Sequence, residues 1–180
     1  RHPVANQFRA PARREGFLAV AYARTVSRFA LLASILIGLL IANAAPVAAQ
    51  GTELSRVVAV AKAQLKDPWK HYAKGPDKFD CVGFVWFAYN QNGLKDKIGG
   101  YRGVGAYFNW FRERGMVTTD ASKARPGDLI VWGRNTHIGM FLGDGMAISA
   151  LINPYGVSIH PVKGYIGMRV KGYLRVDIQR

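Results

Sequence analysis

Residues 79–93 read F-D-C-V-G-F-V-W-F-A-Y-N-Q-N-G, and their pattern sets the architecture of the chain. From Cys81 to Asn90 the segment is almost wholly apolar, with a length that suits either a buried strand or a buried helix. The polar residues that follow lead to Gly93, which can adopt the left-handed conformation of a helix C-terminus. We therefore predict a central, fully buried helix that begins near Cys81.

Helical periodicity also occurs on both sides of this segment. Apolar residues recur at helical spacing in residues 53–65, with Thr52 as N-cap, and again in residues 106–114. Farther along, the apolar period becomes that of strands, and we predict five of them: residues 129–132, 137–142, 146–152, 157–162 and 171–178. Helices followed by antiparallel strands indicate an α+β domain.

The first 49 residues differ in composition from the rest, with six arginines and one acidic residue. Within them, residues 29–42 are apolar and uncharged, and small residues follow as far as Ala49. This pattern predicts a secretory signal that is cleaved between Ala49 and Gln50. The run is short for a membrane helix, which needs about 20 apolar residues, but its extension to Ala49 would allow an uncleaved anchor. We predict a leader over residues 1–49 and one secreted or envelope domain over residues 50–180.

The charge of the chain limits its partners. The whole sequence carries a net charge of +14, and residues 50–180 carry +9 through 19 basic and 10 acidic side chains. For an exported domain, this charge could attract an acidic wall polymer or anionic lipid, although a solvated basic surface is the favoured interpretation. Nucleic acid is not expected, because the basic residues form no cluster. The sequence contains no zinc-ligand spacing, phosphate loop or dinucleotide fingerprint, so we predict neither a metal nor a cofactor.

Cys81 is the only cysteine, which excludes an intramolecular disulfide framework and a Cys-rich zinc site. It is a buried filler, an intermolecular link or a reactive thiol. At a helix start, the macrodipole and the free N–H groups would favour a thiolate and a developing oxyanion, so we expect a depressed thiol pKa. A base could come from His137, whose strand continues with Gly139 and so leaves room for a helix end to approach the imidazole.

Three motifs occur in order: F-D-C-V-G-F at 79–84, R-P-G-D-L-I-V-W at 125–132 and H-I-G-M-F-L-G-D-G at 137–145. They resemble the NlpC-type papain-like cysteine peptidases of bacterial cell walls, and the resemblance extends over nearly all of residues 50–180. It implies a papain-like α+β fold with Cys81 as nucleophile and His137 as general base. It also implies hydrolysis of amide bonds in the stem peptides of peptidoglycan. We expect a monomer that meets the membrane only through an uncleaved signal segment.

The sequence departs from the family pattern at three positions. Val82 replaces the usual serine after the cysteine, and Trp69 replaces a tyrosine that commonly lies twelve residues before it. Ser149 occupies the third catalytic position, twelve residues after the histidine, where His, Glu, Asn or Gln is usual. The resemblance makes Asp80, Val82 and Trp69 candidates for substrate binding, although Asp80 could instead stabilise the helix start.

Strand register decides whether Ser149 can orient the imidazole. A three-residue loop over residues 143–145 places Ser149 and Asn153 on the face of His137. A two-residue turn would instead place Ala150 and Ile152 on that face. The first register is favoured because it buries together Ile148, Ala150 and Ile152. Ser149 is then the orienting group or a small residue that fills space, and Asn153 is the reserve candidate.

The leading hypothesis is a secreted cysteine endopeptidase of peptidoglycan. One alternative is a wall-binding domain of the same fold with little or no turnover, although such a domain need not keep both Cys81 and His137. Another is a related thiol amidase or acyltransferase, which the unusual residues Val82, Trp69 and Ser149 make credible.

Overall fold

The computed structural model describes residues 51–180. The predicted leader, its cleavage after Ala49 and the choice between cleavage and anchoring lie outside the described residues. Within residues 51–180, none of the helices has the length and apolar character needed to cross a bilayer.

The structure contains the three predicted helices, α1 over Glu53–Ala63, α2 over Cys81–Asn90 and α3 over Val104–Arg112. Two 3-10 helices cover Lys95–Ile98 and Ala121–Lys123. Capping side chains fix the first two helix starts. The Thr52 hydroxyl accepts a hydrogen bond from the backbone N–H of Ser55 (3.2 Å), and the Asp80 carboxylate caps α2 in the same way. A side-chain acceptor at this position satisfies one of the N–H groups that lack a partner within the helix.

The strands form one antiparallel sheet in the order β1-β6-β2-β3-β4-β5. Their bounds are β1 Val117–Thr118, β2 Leu129–Trp132, β3 His137–Gly143, β4 Met146–Leu151, β5 Gly156–Pro161 and β6 Val170–Leu174. The α+β class is confirmed, with six strands instead of five. The additional strand is β1, whose two residues pair with Leu174 and Tyr173 of β6. A segment this short shows no alternation in the sequence.

Helix α2 is the centre of the main core. Seven of its ten residues are buried, so more than one face of the helix is covered. It packs against α1 on one side and against β3 and β4 on the other. A helix that is apolar all round is stable in water only when it is enclosed in this way. The prediction of a helix rather than a strand for this segment is confirmed.

The two faces of the sheet belong to different apolar clusters. Because strand side chains alternate between faces, Ile138 and Met140 of β3 pack in the core with α2. The opposite face carries a smaller cluster, composed of Ile130, Trp132, Phe141, Ala147, Val162 and Tyr173. Trp132 is fully buried, and its indole N–H donates to the carbonyl of Val162 (3.0 Å).

The turn between β3 and β4 differs from the prediction. Asp144 and Gly145 form a two-residue turn, and both have a positive φ (49° and 70°) as the tight hairpin turns require. The predicted three-residue loop is therefore wrong. However, a bulge between Phe141 and Gly143 adds one residue to β3 before the turn. The two-residue turn alone would move the other set of β4 side chains to the face of His137. The bulge shifts the pairing by one more residue and so restores the predicted register.

The register farther along the hairpin is the predicted one, with Met140 opposite Ile148. It keeps Ser149 on the face of His137. The expectation that Ile152 is buried beside Ile148 is wrong, since Ile152 is 65% exposed. Strand β4 ends at Leu151, and the chain turns away before Ile152 could join the core.

Asp128, at the start of β2, holds three parts of the chain together. Its side chain is 1% exposed. One carboxylate oxygen accepts from the backbone N–H of Arg125 (2.9 Å). The other accepts from the backbone N–H of Val176 (3.0 Å) and from the guanidinium of Arg180 (2.7 Å). The carboxylate thus closes the turn before β2 and fastens the C-terminal segment to it.

We expect Asp128→Ala to lower the free energy of unfolding by about 3 kcal/mol, because it removes one partner of a buried ion pair and leaves buried N–H groups without an acceptor. Urea unfolding followed by circular dichroism would measure the loss. Asp96→Ala, which removes an exposed carboxylate, is the matched control and should leave the midpoint near that of the parent. Equal midpoints for the two variants would contradict this role of Asp128.

Candidate active site

Cys81 is the first residue of α2, as predicted, and its side chain is partly exposed. The backbone amides of Cys81, Val82 and Ile138 face the thiol sulfur. The first N–H groups of a helix lack partners inside the helix, so two of these amides are available at the helix end. Together they can stabilise negative charge on the sulfur or on an oxygen bound next to it.

The ionisation of this thiol differs from the expectation. Burial raises the pKa of Cys81, the nearby Asp80 carboxylate raises it further, and the facing amides offset only part of the shift. The predicted depressed pKa is therefore wrong for the resting protein. The physical reason is that this helix end is packed inside the domain, where a thiolate loses its hydration. At neutral pH the side chain is a neutral thiol.

Asp80 precedes the cysteine, and both of its carboxylate oxygens are occupied by backbone donors. One accepts from the N–H of Gly83 (2.6 Å), and the other accepts from the N–H of Tyr72 (3.0 Å). The side chain is buried and does not line the cavity beside Cys81. Of the two roles left open by the sequence, these contacts support the stabilisation of the helix start.

Gly83 allows the preceding loop to lie directly against the first turn of α2. A β-carbon at this position would come within 2.0 Å of the carbonyl oxygen of Ala73. The same carbonyl accepts a hydrogen bond from the backbone N–H of Asp80 (3.0 Å). Any larger residue would move the loop and, with it, the start of the helix that carries Cys81.

Cys81 and His137 line the same cavity, which has a volume of about 520 Å³. His137 is the first residue of β3 and is 8% exposed. The other lining side chains are mainly apolar or aromatic and include Trp69, Leu151, Ile152, Tyr155, Ile166 and Met168. Among residues 51–180, no group of three or more His, Cys, Asp or Glu side chains is arranged to hold a metal ion.

Ser149 lies against the His137 imidazole, and a second imidazole lies beyond it. The Ser149 Oγ is 2.8 Å from the Nε2 of His137 and 2.8 Å from the Nε2 of His160. The Nδ1 of His160 is 2.9 Å from the carbonyl oxygen of Pro161. All three side chains of this row are buried. The structure thus brings Ser149 to His137, while its orienting role stays a prediction.

The analysis of the sequence missed His160. It belongs to β5, where Ser158 lies opposite Ser149 and His160 lies opposite Ala147. Alternation along the strand puts His160 on the same face as Ser149, in a diagonal position. To predict this position of His160, the register between β4 and β5 would have to be known, and no motif in the sequence fixes that register.

Both imidazoles are neutral at physiological pH. Burial lowers the pKa of His137 to about 4, and the nearby His160 contributes to the lowering because a second positive charge would repel the first. Burial also lowers the pKa of His160. A neutral His137 can accept a proton, which is the state that a general base requires.

Gly139 makes room for Ser149. A β-carbon at Gly139 would lie 2.7 Å from the Cβ of Ser149 and 2.8 Å from the carbonyl oxygen of Ile148. We expected the missing side chain to leave room for the end of a helix. The nearest atoms belong instead to β4 and to Trp132, so the glycine lets the neighbouring strand carry a polar side chain up to His137.

Trp69 lines the cavity, as expected for a substrate-binding residue, and Asn153 holds its backbone in place. The side-chain oxygen of Asn153 accepts from the N–H of Trp69 (3.2 Å), and its amide nitrogen donates to the carbonyl of Trp69 (3.3 Å). Asn153 is exposed and has no hydrogen bond to His137. The reserve assignment of Asn153 as the orienting group is therefore wrong, because the residue follows the end of β4 and turns toward the other loop.

Val82 is buried in the main core and does not line the cavity. The structure therefore gives its side chain no direct access to a substrate. Its contribution to the site is the backbone amide that faces the Cys81 sulfur.

Tyr101 is a further side chain near the thiol that the sequence did not reveal. Burial raises the pKa of its phenol, and Asp80 and Cys81 raise it further, which places all three groups close together. Its ring packs edge-on against Trp86 with the centroids 5.8 Å apart, and the Nζ of Lys74 lies 3.8 Å from the ring centroid. Tyr101 lies in a glycine-rich loop, and no motif marks it.

These groups are the parts that acyl transfer requires. A thiol can serve as the nucleophile, a neutral imidazole in the same cavity can serve as the base, and backbone amides at the helix start can stabilise an oxyanion.

Comparison with known proteins agrees with this arrangement. Residues 66–175 match the NlpC/P60 family. A probable endopeptidase p60 from Listeria grayi is 34% identical over 113 residues, which are 61% of this chain and 20% of that protein. The chain thus matches about one fifth of the length of this curated relative.

Solved structures show the same fold. NlpC2 from Trichomonas vaginalis superimposes with a TM-score of 0.58 at 28% identity, covering 70% of this chain and 48% of that one. The peptidoglycan hydrolase RipB from Mycobacterium tuberculosis gives a TM-score of 0.54 at 26% identity, with coverage of 68% and 64%. Because the family match takes in more than half of the sequence and includes Cys81, His137 and Ser149, this chain belongs to the NlpC/P60 family.

Proposed function

We propose that residues 51–180 form a cysteine endopeptidase that hydrolyses amide bonds in the stem peptides of peptidoglycan, and that it works in the cell envelope or outside the cell. The observation that carries this proposal is the presence of Cys81 and His137 in one cavity, beside the amides of a helix start. The relatives named as an endopeptidase and as a peptidoglycan hydrolase support it.

In the first half of the reaction, the sulfur of Cys81 attacks the carbonyl carbon of the scissile amide. Because both groups are neutral at rest, the Nδ1 of His137 takes the thiol proton as the C–S bond forms, and the carbonyl electrons move onto oxygen. The amides at the helix start stabilise that oxyanion. The intermediate then collapses, the C–N bond breaks, and the imidazolium gives its proton to the leaving amine.

In the second half, the thioester reacts with water. His137 removes a proton from the water molecule as its oxygen attacks the thioester carbon, and a second oxyanion forms at the same place. Collapse breaks the C–S bond, the sulfur regains its proton from the imidazolium, and a carboxylic acid is released, which loses its remaining proton to solvent and becomes a carboxylate. The pair returns to its neutral state with one water consumed.

Charge supports a wall substrate. Stem peptides carry carboxylates, and residues 50–180 carry a net charge of +9. A basic domain attracts such a polymer over distances up to the Debye length, about 8 Å at physiological ionic strength.

The apolar lining of the cavity supports a second candidate, a thiol amidase or acyltransferase that acts on another acyl compound. The side chains of Leu151, Ile152, Ile166 and Met168 offer no hydrogen-bond donor with which to recognise a peptide side chain. The two candidates share the acyl-enzyme step and differ in the acyl donor. Identification of the products by mass separates them.

We expect the purified domain to release stem-peptide fragments from purified peptidoglycan. Cys81→Ala should abolish release because it removes the nucleophile. His137→Ala should slow release at least a hundredfold, the usual contribution of a general base. Mass spectrometry of the soluble products measures both effects and identifies the bond that is cut.

His71→Ala is the matched control, since His71 is an exposed histidine in the loop before α2, and it should stay near the parent rate. A wall-binding domain without turnover would sediment with peptidoglycan and release no fragments from any variant, and that result would refute the proposed activity.

We also expect Cys81 to react slowly with iodoacetamide at neutral pH. Its pKa is raised, so the reactive thiolate forms only above the ordinary value of about 8.5, and the rate should still be rising at pH 9. The alkylation rate measured from pH 5 to pH 10, with free cysteine as the reference, tests this. A rate that is already constant between pH 5 and pH 7 would mean a preformed thiolate–imidazolium pair.

A further inference from the structure

We propose that His160 is a positioning residue that fixes the protonated nitrogen of His137 through Ser149. This inference rests on the proposed function, because the tautomer of His137 matters only if that residue is the base. The row of contacts is His137 Nε2 to Ser149 Oγ at 2.8 Å, Ser149 Oγ to His160 Nε2 at 2.8 Å and His160 Nδ1 to the carbonyl oxygen of Pro161 at 2.9 Å.

The direction of these hydrogen bonds follows from the backbone end of the row. A carbonyl oxygen only accepts, so the Nδ1 of His160 carries a hydrogen and donates it to Pro161. In a neutral imidazole the other nitrogen is then an acceptor, and the Ser149 hydroxyl donates to it. With its single proton used, Ser149 can only accept from the Nε2–H of His137. The Nδ1 of His137 is left with a free lone pair, the position from which it can take a proton.

Ser149 alone could not impose this result. A serine hydroxyl rotates and can donate as well as accept. If it donated to the Nε2 of His137, the hydrogen of that ring would move to Nδ1, and the base would lose its lone pair on the reacting side. His160 prevents this by accepting the only proton that Ser149 has.

The surroundings keep the row intact. The three side chains are at most 8% exposed, so little of their surface is open to solvent. The ring of Tyr165, which also lines the cavity, stacks on His160 with the centroids 5.2 Å apart and the planes 12° apart. Trp132 lies beside both imidazoles, with centroid distances of 5.5 Å and 5.9 Å. Within residues 51–180, no carboxylate forms a hydrogen bond or ion pair with either ring.

The test is a double-mutant cycle with Ser149→Ala and His160→Phe. Phenylalanine keeps an aromatic ring against Trp132 and Tyr165 but cannot accept a hydrogen bond. We expect His160→Phe to lower kcat for peptidoglycan fragment release about tenfold with little change in KM. In the Ser149→Ala background it should lower kcat no further, because the path from His160 to His137 is already broken. Ile159→Phe, on the opposite face of the same strand, is the matched control and should keep the parent kcat.

The second readout does not depend on turnover. Ring ¹⁵N spectra at neutral pH should show His137 as the Nε2–H tautomer in the parent and as a mixture in His160→Phe. His160→Gln can supply an acceptor oxygen near the position of the lost Nε2, so it should restore the parent tautomer and most of the activity. If the parent releases no fragments but shows these spectra, the proposed function fails and the tautomer relay stands.

Two results would overturn the inference. One is an unchanged His137 tautomer in both His160→Phe and Ser149→Ala. The other is a loss of kcat on His160→Phe that is equally large in the Ser149→Ala background, since His160 would then act without Ser149. Thermal unfolding of each variant accompanies these measurements, and the spectra of His160→Gln decide the question if His160→Phe does not fold.

Discussion

The structure depends on the enclosure of α2. A helix with apolar residues on every side needs cover from several directions, which α1 provides on one side and the sheet on the other. Only the ends of such a helix can stay polar, and the N-terminal end carries the unpaired amides. The Asp80 carboxylate uses one of these amides, and the others face Cys81. The helix end thus gives the thiol its amides, while burial raises the pKa of the thiol, which is why the proposed mechanism has a base remove the proton during attack.

His137, the proposed base, is held by a row of neutral groups. A carboxylate next to His137 would hold the imidazolium more strongly, but an ionised carboxylate buried at this depth would lose its hydration and need further donors. Ser149 and His160 avoid this cost because each is neutral and the row ends on a backbone carbonyl. Burial and the neighbouring His160 lower the pKa of His137 to about 4, so the ring is unprotonated at rest, and the imidazolium formed during attack is short-lived.

The sequence predicted those features of the fold and site that are set by a local motif or by strand alternation. The α2 start followed from its motif, and alternation gave the face shared by His137 and Ser149, whereas the role of Asp80 was left open between capping the helix and binding substrate. The β3–β4 turn could not be predicted, because a bulge followed by a two-residue turn pairs the strands in the same register as a three-residue loop. The role of Asn153 and the place of His160 depend on how the chain passes from β4 to β5. That path is set by contacts distant in sequence, such as the bonds between Asn153 and Trp69.

The site lies where the two apolar clusters of the sheet meet. Cys81 packs against the core that contains α2, whereas His137 lies beside Trp132 of the cluster on the opposite face, and yet both line one cavity. Each of them is the first residue of its element, Cys81 of α2 and His137 of β3. The residues that follow each of them, Val82 and Ile138, are buried in the core. The proposed nucleophile and base are therefore each anchored by the packing of the next residue in the same core, so their separation is fixed by that core rather than by a flexible loop.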